Sequence, residues 1–394
     1  MPIHFLHSLL LVLGILLLAP PAQAAENTLS PEELADGWIL LFDGETLFGW
    51  NATSEADWRV DDGAIRVGSG EKGLLCTTTQ FGDYVFKADF RAAKGTNSGV
   101  FLRTAPQPAD PAVDCYELNI AAPDVSEFPT GSLVGRKKAD GATGTADWQT
   151  FELRCEGGRF VVKLDGEQVL DYTDPQPLGR GLIGLQLNQG DIAFRNLKLK
   201  PLGMEPIFNG ENLAGWNDDL ARESEFSVTD EGALQVKDGP GQLESEGSYG
   251  DFVLQLDVFV NGEELNSGVF FRSIPGEFQN GYEAQIHNGV KPGTDQPSNG
   301  GTGGIFRRQE ARRVVSKDFE WTAMTIVADD AHMACWVNGF QVTDWTDPRE
   351  PHANPRQGKR LEAGTLILQG HDPTTDLRFR DLRISEIPPR RSAP

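Results

Sequence analysis

The chain has 394 residues, a formal net charge of −23 and four cysteines, and its length suits two ordinary domains better than one. So large an acidic excess repels phosphate backbones and anionic lipid; it argues against nucleic acid or membrane as partners and favours a neutral or cationic ligand. Cys76, Cys115, Cys155 and Cys335 form no CxxC pair, so a cysteine-held zinc cluster is not expected, and Cys335 reads as a small buried hydrophobe.

Residues 1–24 read as a secretory signal peptide. Residues 9–18 are an apolar run too short to span a bilayer, and Ala22-Gln23-Ala24 has the small-x-small spacing of a cleavage site. Export is therefore expected, to the periplasm or the medium, with no membrane association after cleavage.

Two copies of one domain follow, over residues 34–200 and 205–388, joined by a short linker near residues 200–205. Phe42-Asp43-Gly44 and Leu47-Phe48-Gly49-Trp50-Asn51 are answered roughly 166 residues later by Phe208-Asn209-Gly210 and Leu213-Ala214-Gly215-Trp216-Asn217. That offset is far beyond a solenoid period, so it marks a duplicated domain. Asn97-Ser98-Gly99-Val100-Phe101-Leu102-Arg103 is answered by Asn266-Ser267-Gly268-Val269-Phe270-Phe271-Arg272, and Tyr116-Glu117 by Tyr282-Glu283. Short runs rich in β-branched and aromatic residues predict strands near 84–90, 151–155 and 160–164, and near 322–327 and 333–337 in the second copy. Asp62-Gly63, Asp165-Gly166 and Asn338-Gly339 read as the turns between strands. Helical periodicity is absent. The expected fold is all-β, two tandem jelly-roll β-sandwiches.

Residues able to carry chemistry concentrate in the second copy. On a strand through residues 282–287, Glu283, Gln285 and His287 share one face, a row that suits a ligand or a metal. Arg272 ends the preceding strand. The Gly-rich run at 300–308 lacks the Lys-Ser/Thr ending of a phosphate loop. His371, in Gln369-Gly370-His371-Asp372, is positioned to join His287 and Glu283 across the sheet. Trp321, Trp336 and Trp345 read first as core, with sugar stacking as the alternative. Arg307, Arg308, Arg312 and Arg313 read as a solvated basic hairpin, or as a rim for sugar hydroxyls or acidic substituents.

The ordered series Phe-x-Gly-x-x-Leu-x-Gly-Trp, Asn-Ser-Gly-Val-Phe-x-Arg, Gly-Tyr-Glu-x-Gln-Ile, Thr-Gly-Gly-Ile-Phe, Trp-Val-Asn-Gly, Leu-Gln-x-His and Phe-Arg-x-Leu resembles the 3-keto-disaccharide hydrolase domain family, over residues 37–199 and 206–387. The resemblance implies concanavalin A-like sandwiches and cleavage of glycosides already oxidised at C3, by C2 proton abstraction and elimination at C1. It also implies a carbohydrate partner and a divalent metal ion. On that basis Glu283, His287 and His371 are assigned to the base and the metal, and Arg272, Gln285, Asn266 and Gln369 to the substrate. The first copy keeps Arg103 and Glu117 but has Asn119, Ala121 and Asn188 where the second has Gln285, His287 and His371. It is expected to bind glycan or to act as support. Two rivals stay open: a non-catalytic lectin-like pair of sandwiches, and a conventional glycosidase using Glu283 and Asp372.

Overall fold

A computed structural model describes residues 25–140 and 147–391; the predicted signal peptide lies outside them. Among the described residues the helices are two short ones, Pro31–Ala35 and Pro111–Asp114, and no helix is long and apolar enough to cross a membrane. The strands pair antiparallel in four sheets, joined by turns and longer connections.

In the first half an eight-stranded sheet runs from Glu167–Thr173 through Arg159–Leu164, Gln149–Glu156, Tyr84–Ala92, Ile192–Pro201 and Ala64–Val67 to Arg59–Asp61, with Ile39–Leu40 added against Ile192–Pro201. It faces a five-stranded sheet ordered Trp50–Ala52, Gly73–Thr77, Leu182–Leu187, Asn97–Thr104 and Tyr116–Ala121. The second half repeats the plan. Its five-stranded sheet is ordered Trp216–Asn217, Gly241–Tyr249, Gly364–Gly370, Ser267–Ser273 and Tyr282–Ile286.

Burial follows the period of two. Along Gln149–Glu156 every second residue is buried, and those inward side chains, Phe151, Leu153 and Cys155, join the first core with Phe86, Phe160 and Phe194. The second core is built the same way around Leu254, Phe271, Tyr282, Ile326 and Phe379. The Asp-Gly and Asn-Gly pairs are hairpin turns: Asp165 and Gly166 have φ of 50° and 85°, and Asn338 and Gly339 have φ of 49° and 76°. All four cysteines are free and buried, and burial pushes the thiols of Cys76, Cys115 and Cys155 up to about 12.

The two sandwiches share apolar surface. Trp336, 1% exposed, packs into the first core with Val253, Val327 and Ala334, and its indole N–H donates to the Leu40 carbonyl at 2.8 Å. It is an interface residue, with no face left for a sugar. Trp345 meets Tyr282 edge-on at 6.3 Å. Trp321 lies against the guanidinium of Arg380 at 4.0 Å.

Candidate active site

A cavity of about 650 Å³ opens on the second sandwich. Its floor follows from strand alternation. Tyr282, Ala284 and Ile286 point into the core, which turns Glu283 and Gln285 to the opposite face, where both line the cavity. Across four strands the register aligns Glu283 with Phe270, Phe270 with Ile367, and Ile367 with Glu244. Gln369, paired with Gln242, adds a second amide to the floor, and Asn266 and His371 close one end.

Gln285, Asn266, His371 and Asp372 form one directed hydrogen-bond chain. Gln285 Nε2 donates to Asn266 Oδ1 at 2.9 Å and to the Asn299 carbonyl at 2.9 Å. Asn266 Nδ2 lies 2.8 Å from His371 Nε2, and His371 Nδ1 lies 2.8 Å from Asp372 Oδ2. With the proton on Nδ1 every link has one donor and one acceptor, and the Nε2 lone pair accepts from the Asn266 amide at the cavity wall. The Thr374 hydroxyl and, against a burial penalty, His371 hold the Asp372 carboxyl below its ordinary value. Gln285 Oε1 and Gln369 Oε1 are buried without a protein partner, so each is free to accept from a ligand hydroxyl.

Glu283 is the most perturbed acid of the cavity. Burial pushes its carboxyl up to about 8, against an opposing pull from Arg307 and Arg356, so at neutral pH it is mostly a neutral acid. Gly268 makes room for it: a Cβ there would come within 2.6 Å of Glu283 Oε1. Gly268→Ala is expected to displace the carboxyl and cut turnover at least tenfold with the fold intact, read by kinetics alongside near-UV circular dichroism.

The residues predicted from sequence divide. Asn266, Glu283, Gln285, Gln369 and His371 come together around the cavity. Arg272 does not: it is fully buried and holds the carbonyls of Gly250, Asp330 and Arg360 and the carboxylate of Asp251. Arg103 does the same for Gly82, Gly157 and Asp83 in the first copy, so this shared arginine braces the scaffold. His287 also stands apart from the lining. Its ring nitrogens face Ser298 Oγ at 2.9 Å and the Leu265 carbonyl at 3.4 Å. Glu283, His287 and His371 are therefore not gathered into a metal-binding set. Among the described residues the group that could hold an ion is Asp251, Asp329 and Asp330, and Arg180 already pairs with all three. The glycine-rich run serves packing, since a Cβ on Gly303 would meet Val342 at 2.5 Å.

Three cavity cations, Arg307, Arg308 and Arg356, complete the lining. Arg356 was not singled out in the sequence. The signal was a length difference: the connection after Thr173 reaches the next strand at Leu182, whereas the one after Thr346 runs to Gly364 and carries Arg356.

The first copy retains a muted counterpart. Glu117 is buried, and burial pushes it up to about 7 while Gln186 pulls it down. Asn119 spends its amide on Phe128 and Ser126, and Arg136 is tied to Asp174 at 3.2 Å. Glu117→Gln is expected to stabilise the chain by about 3 kcal/mol at pH 8, with no gain at pH 4, because the buried carboxylate disfavours the fold only once it ionises. Urea titrations at the two pH values check this.

Known proteins resemble parts of this chain. A protein from Bacteroides thetaiotaomicron named 3-keto-disaccharide hydrolase is 24% identical over 230 residues, spanning 43% of this chain and 79% of that protein. A crystal structure from Parabacteroides distasonis ATCC 8503, described as a candidate glycosyl hydrolase, covers 45% of this chain and all of its own at 21% identity and a TM-score of 0.41. The carbohydrate-binding module CBM66 from Bacillus subtilis covers 38% of this chain and 94% of its own at 17% identity and a TM-score of 0.29. The sequence pattern of the 3-keto-alpha-glucoside-1,2-lyase-like domain matches twice, at residues 37–200 and 203–385, and the chain belongs to that family as a tandem pair.

Proposed function

We propose that the second sandwich cleaves 3-keto-glycosides by elimination and rehydration. The observation that carries this is the pairing, in one cavity, of a carboxyl kept neutral by burial, Glu283, with an imidazole held by Asp372 in the tautomer that can accept a proton, His371. The family and the named relative supply the substrate class.

A ketone at C3 acidifies the hydrogen on C2. Bound substrate displaces the Asn266 amide from His371 Nε2, which then takes that proton, and the electron pair moves onto the C3 oxygen. The enolate charge falls beside Arg307 and Arg356, the two guanidiniums that act on Glu283. Collapse of the enolate breaks the C1–O bond, and Glu283 protonates the departing oxygen. The Glu283 carboxylate then takes a proton from water as its oxygen adds to C1 of the enone, and His371 returns its proton to C2. Gln285 and Gln369 accept from sugar hydroxyls through their unpaired oxygens. A divalent ion would supply a Lewis acid at the enolate oxygen. Its proposed ligands do not converge, and two arginines already stand beside the acid, so no step is assigned to it. Export of the chain belongs to the same reading, and N-terminal sequencing of the extracellular or periplasmic protein tests it.

The deciding assay offers a 3-keto-glycoside and its unoxidised parent, with and without chelator. Aglycone is expected from the keto substrate alone, at a rate chelation leaves unchanged. Release from neither substrate sinks the proposal. Release from the parent alone points to a conventional glycosidase. Activity lost to chelator and regained with a divalent ion removes the arginines from the enolate-stabilising role.

A further inference from the structure

The four clustered arginines of the sequence separate in space. Arg312 pairs with Asp43 at 2.8 Å and Arg313 with Glu45, both in the first sandwich. Arg307 and Arg308 turn to the cavity instead and meet Arg356 there. Arg349, close by, is neutralised by Asp347 at 2.7 Å. No carboxylate among the described residues pairs with the cavity three. Arg307 lies over the Phe306 ring at 5.1 Å. Arg308 reaches only the Arg356 carbonyl, at 3.4 Å. Arg356 donates to the carbonyls of Phe278 and Gln279.

Three unpaired guanidiniums around one cavity are unexpected in a chain of net charge −23, where carboxylates are plentiful. Like charges held close together without counter-ions cost stability, and such an arrangement is worth keeping where a ligand supplies the missing charge. The chemistry proposed above uses only part of it: Arg307 and Arg356 flank Glu283 and answer one developing enolate. Arg308 is left over. Its side chain is exposed at the cavity mouth; partial desolvation and the like charge of Arg349 act against its cation, and the nearby Asp347, already bound by Arg349, offsets them only in part. Overall charge pointed to neutral or cationic ligands, but that field is screened within about 10 Å at moderate salt, so inside the cavity the local arginines decide.

We infer that the glycoside taken by the second sandwich carries an anionic substituent, a carboxylate or sulfate on the sugar or on the group next to it, and that Arg308 holds that substituent at the cavity wall. The geometry suits it, because a guanidinium binds planar carboxylate or tetrahedral sulfate oxygens through two parallel N–H bonds.

This rests on the proposed reaction for its kinetic arm and on binding alone for its second. The kinetic arm compares a 3-keto-glucoside with the 3-keto-glucuronide and the 6-sulfated 3-keto-glucoside of the same aglycone, using the full chain and its Arg308→Gln and Arg308→Lys variants. A preference in kcat/KM of roughly tenfold or more for at least one anionic substrate is expected at low salt. It should shrink in high salt, fall to near parity in Arg308→Gln, and be partly kept in Arg308→Lys. Equal use of neutral and anionic substrates, or a preference that survives Arg308→Gln, overturns the inference while leaving the reaction in place. If no keto-glycoside is cleaved the reaction falls. Calorimetric binding of the unoxidised glucuronide, sulfated glucoside and neutral glucoside then decides this inference alone. Tighter binding of an anion, lost in Arg308→Gln, supports it; no discrimination ends it. The stronger of the two anions identifies the group.

Discussion

Glu283→Gln is expected to lose aglycone release by about 10²–10⁴-fold and at the same time to make the protein more stable. Both effects have one cause. Burial raises the carboxyl from an ordinary 4.5 to about 8, which suits a proton donor at neutral pH and disfavours the charged form in the folded state. The folded chain holds this proton where the unfolded chain has released it, so stability falls as pH rises from about 4.5 and levels off above about 8. Gln keeps the shape and removes the titration. The variant should therefore match the wild type near pH 4, gain about 3 kcal/mol at pH 7 and about 5 kcal/mol at pH 9. Urea unfolding at the three pH values measures the difference. A variant less stable than wild type at pH 9 would mean that the carboxylate is well accommodated, and the proton-donor role would go with it.

The same protonation sets a direction for the rate. If Glu283 protonates the leaving oxygen, kcat/KM falls as pH rises through about 8. If it instead removed the C2 proton as carboxylate, the rate would climb through that range. A profile between pH 6 and 10 separates the roles, and the limb should vanish with the residual activity of Glu283→Gln.

The scaffold was legible because duplication wrote it twice. Asp165-Gly166, Asn338-Gly339 and the alternating runs carry local backbone preferences, and two copies in the same order repeat the message. Duplication also misled. Arg103 and Arg272 end the same motif, and that motif reads as a site until both arginines prove to brace the loops beside Asp83 and Asp251. The informative positions were those that differ and line the cavity, Asn119 against Gln285, Asn188 against His371 and the long connection carrying Arg356. Ala121 against His287 differs too, but alternation put His287 in one row with Glu283 and Gln285 without showing that its ring ends at Ser298 and Leu265. A side chain just past the strand end follows the loop that covers it, and no period of two describes that loop.

Arg180→Ala is expected to be the most destabilising single change at the junction of the two sandwiches. Arg180 belongs to the first and reaches three carboxylates of the second, at 3.0 Å from Asp329 and 3.1 Å from Asp330, with Asp251 closer still. Asp329 is 2% exposed, and burial already raises its carboxyl while Arg180 pulls it down. Without the guanidinium, three carboxylates with oxygens within 4.8 Å of one another keep the Arg272 contact and the Asp330 backbone N–H on Asp251 and the Gln80 amide on Asp329. Breaking a buried ion pair from one side costs about 3–5 kcal/mol. Asp329, already raised by burial, would then titrate higher still in the folded variant than in the unfolded chain, so the deficit should be largest at pH 8 and should shrink as pH falls and Asp329 takes up a proton. Arg180→Lys keeps a charge but loses the fork that spans three carboxylates, and should recover only part of the loss. Scanning calorimetry provides the readout: the variant is expected to melt earlier, with the transitions of the two sandwiches drawing apart. Equal loss at pH 5 and pH 8 would show that packing, not charge, ties Arg180 to the second sandwich.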